Sequence, residues 1–202
     1  LGFQSPAVGI FKASTVFFPS VSAVRSRQWK DKTAYTYGLH GTPTTYTLEE
    51  RLSSLEGGLQ CVLTPSGLSA IALVALALLQ SGDEVLLPDN CYEPNKTLVE
   101  GEFVGWGVRH RFYNPMDPQD LQSKLSGATR LVWLEAPGSV TLAFPDLAQL
   151  TRICKQHGAL VALDNTWGAG IAFAPFDLMP GNPCAVDISI QALTKYPSGG
   201  GD

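Results

Sequence analysis

The chain has 202 residues, 45% of them hydrophobic and 16% charged, and a formal net charge of −4, which is typical of a soluble globular protein with one sizeable core. The sequence contains no basic run, so we do not expect a nucleic-acid partner. The longest apolar run, Ala70–Leu79, is far shorter than the roughly 18 residues that span a bilayer. The amino terminus shows no signal-peptide pattern, so we expect a cytoplasmic protein without a membrane partner.

The first 46 residues are rich in Ser, Thr, Pro and aromatic residues and show no helical period. They predict an irregular N-terminal arm, 1–46. The second predicted segment, 47–202, opens on a capping box in which Thr47 and Glu50 form the Thr-x-x-Glu pattern. The short helix that follows is expected to end at the glycine pair 57–58.

From residue 60 onward, short apolar segments alternate with helical patterns. Strands are predicted at Gln60–Thr64, Glu84–Leu87, Val108–Phe112, Arg130–Leu134, Ala159–Leu163 and Ala185–Ile190. Helices are predicted at Leu68–Leu79, Glu93–Phe103, Pro118–Leu125 and Pro145–His157. This alternation predicts an α/β fold in three α/β/α layers, with a mainly parallel mixed sheet covered by helices on both faces.

Ligands of such sheets bind at the loops that leave the carboxyl ends of the strands. Four loops are expected there, at Pro65–Ser69, Pro88–Pro94, Asp164–Trp167 and Gln191–Ser198. All four are rich in polar, glycine or aromatic residues, which indicates a ligand site at this edge of the sheet.

Ser66, Gly67 and Leu68 lie where a predicted strand ends and a helix begins. Backbone N–H groups at such a junction bind phosphate, and glycine lets the phosphate approach closely. The serine also fits an ordinary helix cap. The residues alone favour neither interpretation.

Asp164 directly follows an apolar strand, where a carboxylate can bind a metal, cap a helix or pair with a ring nitrogen. A metal site would need further ligands nearby, and residues 165–167 supply none. The cysteines are too far apart in sequence for a zinc site, and we expect reduced core thiols. They are Cys61, Cys91, Cys154 and Cys184.

Lys195 follows the last predicted strand, and Tyr92 follows an earlier one. Most lysines are simply solvated, but a lysine in a water-poor site can become a nucleophilic amine. A tyrosine can pack in the core or stack on a flat ring. A phosphate nest, an aromatic face, a carboxylate and an amine at one sheet edge are the set that pyridoxal phosphate (PLP) requires.

Six segments then make the chain recognisable: YGLHGTPT, LEGGLQCVLTPSGLSA, CYEPN, LEAPGS, LDNTW and SIQALTKY. In their order and spacing the chain resembles the Cys/Met-metabolism family of PLP enzymes over nearly its whole length. The resemblance implies the aspartate-aminotransferase type of fold. Within the family, the segments at Tyr92–Pro94, at Asp164–Trp167 and around Lys195 look most like the bacterial cystathionine β-lyase branch.

The resemblance also implies roles for single residues. Lys195 and Tyr92 would be the catalytic residues: Lys195 would carry PLP as a Schiff base and move protons, and Tyr92 would stack on the ring. Asp164 would pair with the pyridine nitrogen. Tyr37 would reach the phosphate of a neighbouring subunit, because the family's sites are shared across a dimer. The other expected cofactor contacts are Ser66, Gly67, Leu68, Thr166 and Thr194.

The chain departs from the family pattern in four respects. Leu39, followed by His40, stands where the family commonly has a phosphate-binding arginine. Ala192 replaces a common serine, and Gly199–Asp202 lacks the family's histidine. The chain ends at about half of the family's length, so the arginine that grips the substrate carboxylate is expected outside it.

The expected reaction is β-elimination from cystathionine or a cysteine conjugate, which yields pyruvate, ammonia and a thiol such as homocysteine. Two alternatives remain open: γ-elimination or γ-replacement, and a truncated paralogue that does not catalyse. The resemblance further implies a small sulfur amino acid as substrate and a homo-oligomer, a dimer of dimers, with shared active sites.

Overall fold

The computed structural model describes residues 7–30, 32–181 and 183–199. The chain divides into two compact units, Leu1–Leu63 and Thr64–Asp202. We call them the N-terminal unit and the sheet unit. Among the described residues, no helix is both long enough and apolar enough to cross a membrane.

The N-terminal unit contains two helices, α1 (Val21–Arg25) and α2 (Pro43–Glu56). The expectation that residues 1–46 are irregular throughout is therefore wrong. Residue 20 caps α1 with its side chain. The helix is too short to give a helical period in the sequence.

The capping box at Thr47 and Glu50 is also wrong, because α2 begins four residues earlier. Thr42 is the N-cap, and its side chain and that of Thr45 satisfy each other's backbone N–H groups. Pro43 then occupies the first helical turn, where its missing N–H costs nothing. The predicted end is confirmed, since Gly57 adopts φ +76°, which glycine tolerates best.

The segment predicted as a strand at Gln60–Thr64 forms none. The backbone N–H of Leu63 donates to Glu49 Oε1 at 3.0 Å instead of to a neighbouring strand. Glu49 is buried, and its other oxygen accepts from Lys32 Nζ at 2.6 Å. A side chain of α2 therefore fixes this segment, a contact that no local pattern could reveal.

The sheet unit has five strands and five helices among its described residues. The strands are β1 (Glu84–Pro88), β2 (Arg109–Tyr113), β3 (Thr129–Glu135), β4 (Leu160–Asp164) and β5 (Ile188–Ile190). The helices are α3 (Gly67–Leu78), α4 (Glu93–Glu100), α5 (Glu102–Gly105), α6 (Pro118–Lys124) and α7 (Leu147–His157). The strand order is β2-β1-β3-β4-β5, and every pairing is parallel.

Alternate strand residues point to opposite faces of the sheet and form two cores. The core on the α6 and α7 face contains Leu86, Val132, Leu134, Leu121 and Leu150. The core on the α3, α4 and α5 face contains Val85, Leu131, Trp133, Ile71, Val99 and Phe103. The predicted α/β fold, a parallel sheet with helices on both faces, is confirmed.

In the sheet unit, three element bounds differ from the sequence prediction by more than one residue, each for a local reason. The helix expected at Glu93–Phe103 is two helices, because Gly101 leaves the helical conformation with φ −101° and ψ −93°. Helix α7 starts at Leu147 rather than at the proline, because Asp146 caps it by accepting from the N–H of residue 149. Strand β5 starts only at Ile188, because the N–H of Val186 donates to the carbonyl of Pro175 rather than to β4.

None of the four cysteines forms a disulfide. Burial raises the pKa of Cys91 and of Cys154 to about 12. These two thiols therefore remain protonated and contribute as small apolar side chains.

Candidate functional site

The polar residues of interest lie at the carboxyl ends of the strands in the sheet unit. Strand β3 ends in Glu135 and strand β4 in Asp164, and the two residues are register partners. Asp164 is in turn the register partner of Ile190, the last residue of β5. Three of the four predicted loops therefore follow strand ends. The fourth, Pro65–Ser69, follows no strand, because none forms at 60–64.

The start of α3 nevertheless reaches the same edge through Gly67. A Cβ placed on Gly67 would lie 2.8 Å from the Cβ of Ala192, in the loop after β5. Only glycine lets the helix start so close to this loop. The replacement of the family's serine by Ala192 thus falls directly against the expected phosphate-binding turn.

Ser66 caps α3, and its Oγ accepts from the N–H of Ser69 at 3.0 Å. The first N–H groups of a helix have no carbonyl partner within it. A cap and an anion site at Gly67 and Leu68 are therefore compatible, and the positive end of the α3 dipole faces the sheet edge.

Asp164 is only 8% exposed, and its Oδ1 accepts from the N–H of Thr166 at 3.1 Å. Burial raises the pKa of this carboxyl, although the hydrogen bonds from Thr166 oppose the shift. The Oγ1 of Thr166 accepts from the N–H of Ala192 at 2.9 Å. One chain of contacts therefore joins Asp164, Thr166, Ala192 and Gly67.

Glu135 is a member of the site that the sequence reasoning missed. It is 3% exposed, and its Oε2 accepts from the N–H of Tyr92 at 2.9 Å. Its Oε1 accepts from the N–H of Ser139 at 2.7 Å and from the Ser139 hydroxyl. Burial and the charge of Asp164 raise the pKa of Glu135 to about 7. The signal was present, since LVWLE places an acid after an apolar strand just as LVALD does for Asp164.

Lys195 lies in the turns that follow β5, where its N–H donates to the carbonyl of Ala192 at 3.1 Å. Its side chain and that of Thr194 are exposed. The water-poor surroundings that the sequence suggested are not formed by the described residues, because Lys195 stands beyond the end of the strand. The rings of Trp167 and Tyr196 lie 6.0 Å apart beside it.

Tyr92 is the N-cap of α4 and is 41% exposed. Its backbone is held by Glu135, while its ring is available at the surface. The structure thus brings Tyr92, Asp164, Thr166 and the start of α3 to one sheet edge, together with the backbone of Lys195. Their contacts with a cofactor stay predictions.

Tyr37 belongs to the N-terminal unit, where its exposed ring meets His40 edge-on at 5.3 Å between centroids. His40 also lies 5.6 Å from the ring of Trp29, and Leu39 is exposed. At the other departure from the family pattern, Gly199 has φ +74°, and residues 200–202 lie outside the described residues.

A model of the Cys/Met metabolism PLP-dependent enzyme family matches residues 2–202. A curated relative from Rhizobium johnstonii, named "Putative cystathionine beta-lyase", is 39% identical over 201 residues, which are 100% of this chain and 48% of the relative. The cystathionine beta-lyase of Escherichia coli K12 is 34% identical over 196 residues, 96% of this chain and 48% of that enzyme. The chain spans about half the length of these curated relatives.

A solved structure from Campylobacter jejuni, described as a "putative O-acetylhomoserine (thiol)-lyase", superimposes with a TM-score of 0.87 at 25% identity. The match covers 96% of this chain and 47% of that one. That structure contains an N′-pyridoxyl-lysine-5′-monophosphate residue, so the cofactor is bonded to a lysine there.

Proposed function

Because the chain belongs to the Cys/Met metabolism family of PLP-dependent enzymes, we propose that it acts as a carbon–sulfur lyase of the cystathionine β-lyase type. The reaction is the elimination of a thiol from Cβ of an amino acid. Cystathionine and water would give homocysteine, pyruvate and ammonia. The names of the curated relatives support this choice of substrate class.

The observation that carries the proposal is the environment of Asp164. This buried carboxylate forms no ion pair with any described residue, and an uncompensated buried charge is costly. A protonated ring nitrogen would supply the missing cation. The residues therefore fit PLP, the cofactor of this family.

When bound, PLP supplies an aldehyde that combines with amines and a protonated ring that withdraws electrons from the substrate. Residues of this chain would bind and orient the cofactor. Asp164 keeps the ring nitrogen protonated, and Thr166 holds Asp164 in place through its N–H. The exposed ring of Tyr92 stacks on the ring face.

The phosphate is assigned to the start of α3. The backbone N–H groups of Gly67 and Leu68 bind it, with hydroxyl groups from Ser66 and Thr194. We assign the final contact to Tyr37 of a neighbouring copy in a homo-oligomer, most simply a dimer of dimers.

Lys195 is the proposed catalytic amine. Its Nζ would hold the cofactor at rest and, once free, would remove the proton from Cα of the substrate. The exposure of Lys195 in this chain leaves Nζ accessible for both steps.

The experiment compares Lys195→Ala with Lys124→Ala in the full natural protein. Lys124 is a matched control because its one ion pair among the described residues is with Asp120 on the same helix, at 2.7 Å. We expect Lys195→Ala to lower pyruvate formation from cystathionine by about 10²- to 10⁴-fold, with Lys124→Ala unchanged. Borohydride reduction followed by peptide mass analysis should place the cofactor on Lys195 of the unsubstituted protein.

Two results would redirect the proposal. Formation of 2-oxobutanoate instead of pyruvate would favour elimination at Cγ, the position of the leaving group in O-acetylhomoserine, after which the Campylobacter jejuni protein is named. Trapping of PLP on Lys195 without turnover of any sulfur amino acid would favour a paralogue that binds the cofactor and does not catalyse.

A further inference from the structure

Glu135 joins two loops that leave different strands. Its carboxylate accepts from the N–H of Tyr92, which follows β1, and from Ser139, which follows β3. Through these bonds it fixes the backbone of the aromatic residue that we assign to the cofactor face. The same carboxylate is the register partner of Asp164 on β4. The ionisation of Glu135 therefore depends on the charge at Asp164, and its carboxylate holds the backbone of Tyr92.

The groups around Glu135 make its ionised form costly while the Asp164 charge has no partner. The charge of Asp164 on β4 raises the pKa of Glu135, and the neighbouring titratable groups, Cys91 before α4 and Tyr113 on β2, are neutral because burial raises the pKa of both. The lysine of α4, Lys96, is paired with Glu93 at 3.2 Å. Neither buried carboxylate has a cation partner among the described residues, so the two repel each other.

We propose that Glu135 is a positioning residue that couples cofactor binding at Asp164 to the hold on the Tyr92 and Ser139 loops, releasing one proton to water as the cationic ring binds. The inference rests on the proposed function, since it requires PLP at Asp164. Once the ring cation pairs with Asp164, the repulsion on Glu135 falls and its ionised form is favoured. An ionised carboxylate accepts stronger hydrogen bonds than a neutral acid, so the two loops are held more tightly.

The sign of the pH dependence follows from the linkage between binding and protonation. Burial and Asp164 raise the pKa of Glu135 to about 7 in the structure without a cation, and the ring cation lowers it. Because the bound state carries fewer protons, PLP affinity should rise as pH increases towards about 7 and level off above it. Below that value the Glu135 contribution should approach about tenfold per pH unit at most.

The test titrates the full natural protein with PLP between about pH 5.5 and 8.5, following the visible absorbance of the bound cofactor. The Glu135→Gln variant is measured in parallel, and subtracting its pH profile removes the pH dependence that both proteins share. We expect a flatter profile for Glu135→Gln and, by calorimetry in two buffers of different ionisation enthalpy, a smaller release of protons near pH 6.5. Glu84→Gln, a buried acid at the other end of the sheet, should keep the profile of the unsubstituted protein.

Ser139→Ala gives a second route if Glu135→Gln does not fold. The hydrogen bonds from Ser139 lower the pKa of Glu135. Loss of the hydroxyl should therefore move the pH range over which PLP affinity rises to higher pH. The role of Glu135 alone would be overturned if the unsubstituted protein and Glu135→Gln had equal pH profiles of PLP affinity and equal proton release. It would also be overturned if the pH range of rising affinity were unchanged in Ser139→Ala. Failure of the unsubstituted protein to bind PLP at any pH would overturn the proposed function as well.

Discussion

The buried carboxylates at the two ends of the parallel sheet have different hydrogen-bond partners. At the amino end, Glu84 accepts from Arg111 through two hydrogen bonds, at 2.9 and 2.7 Å, and from the Thr129 hydroxyl at 2.7 Å. At the carboxyl end, Asp164 and Glu135 lie side by side and accept mainly from backbone N–H groups. No arginine or lysine among the described residues is paired with either of them.

The pKa values differ in the corresponding directions. Burial opposes ionisation of Glu84, but hydrogen bonds from Arg111, Thr129 and Ser126 outweigh it and lower the pKa. Burial raises the pKa of Asp164 and, with the charge of Asp164, that of Glu135. A carboxylate whose charge is fully matched stabilises the fold. One left unmatched is a candidate for binding or proton transfer.

Among substitutions that test the difference between the two sheet ends, the largest expected effect is on cofactor binding. Asp164→Asn removes the charge that pairs with the ring cation, and a hydrogen bond to a charged group contributes about 1.5 to 3 kcal/mol. We therefore expect PLP affinity to fall by about 10- to 100-fold. Glu84→Gln should leave it unchanged. Absorbance titration measures both, and equal effects of the two substitutions would remove the distinction between the ends of the sheet.

Steric fit at the carboxyl end predicts the next effect. Gly67→Ala introduces a Cβ that must displace Ala192, and overpacking of this kind costs about 1 to 3 kcal/mol of unfolding free energy. The double variant Gly67→Ala, Ala192→Gly should recover part of the loss. Gly105→Ala is the control, since a Cβ there meets nothing within 4 Å. Denaturant unfolding measures all three, and a loss that the second substitution does not relieve would speak against the contact.

A smaller effect is expected at the amino end. Arg111→Ala leaves Glu84 buried without its cation and should lower the unfolding free energy by about 1 to 2 kcal/mol at pH 7. The pKa of Glu84 is lowered in the fold, so its stabilisation is present above the unfolded pKa and is lost as pH falls through the folded value. The difference between Arg111→Ala and the unsubstituted protein should therefore shrink in acid. Arg130→Ala, on an exposed residue of β3, should show no such pH dependence.

The smallest predicted effect is on the helix cap. Ser66→Ala removes the acceptor for the N–H of Ser69 and should cost about 1 kcal/mol of unfolding free energy. If Ser66 also touches the phosphate, PLP affinity should fall in the same variant. A loss of stability with unchanged affinity would restrict Ser66 to capping α3.

Local patterns were sufficient for most of the sheet unit, because each strand and helix has its own apolar period and flanking turn. Asp164 was predictable because an acid after an apolar strand must lie at the ligand edge. Glu135 obeys the same rule, but its importance comes from contacts with Tyr92 and Ser139 that the spacing does not show. The incorrect strand at Gln60–Thr64 failed for a similar reason, since its partner is the side chain of Glu49.

The order of the strands explains why Tyr92 and Glu135 meet. From β1 the chain moves outward to β2 and then returns past β1 to β3, β4 and β5. The crossover from β1 runs through α4 and α5 on one face, and the crossover from β3 runs through α7 on the opposite face. Neighbouring loops that depart in opposite directions leave a crevice between them, the topological switch point of an open parallel sheet. The hydrogen bond from Tyr92 to Glu135 spans that crevice, so its location follows from the direction of chain winding.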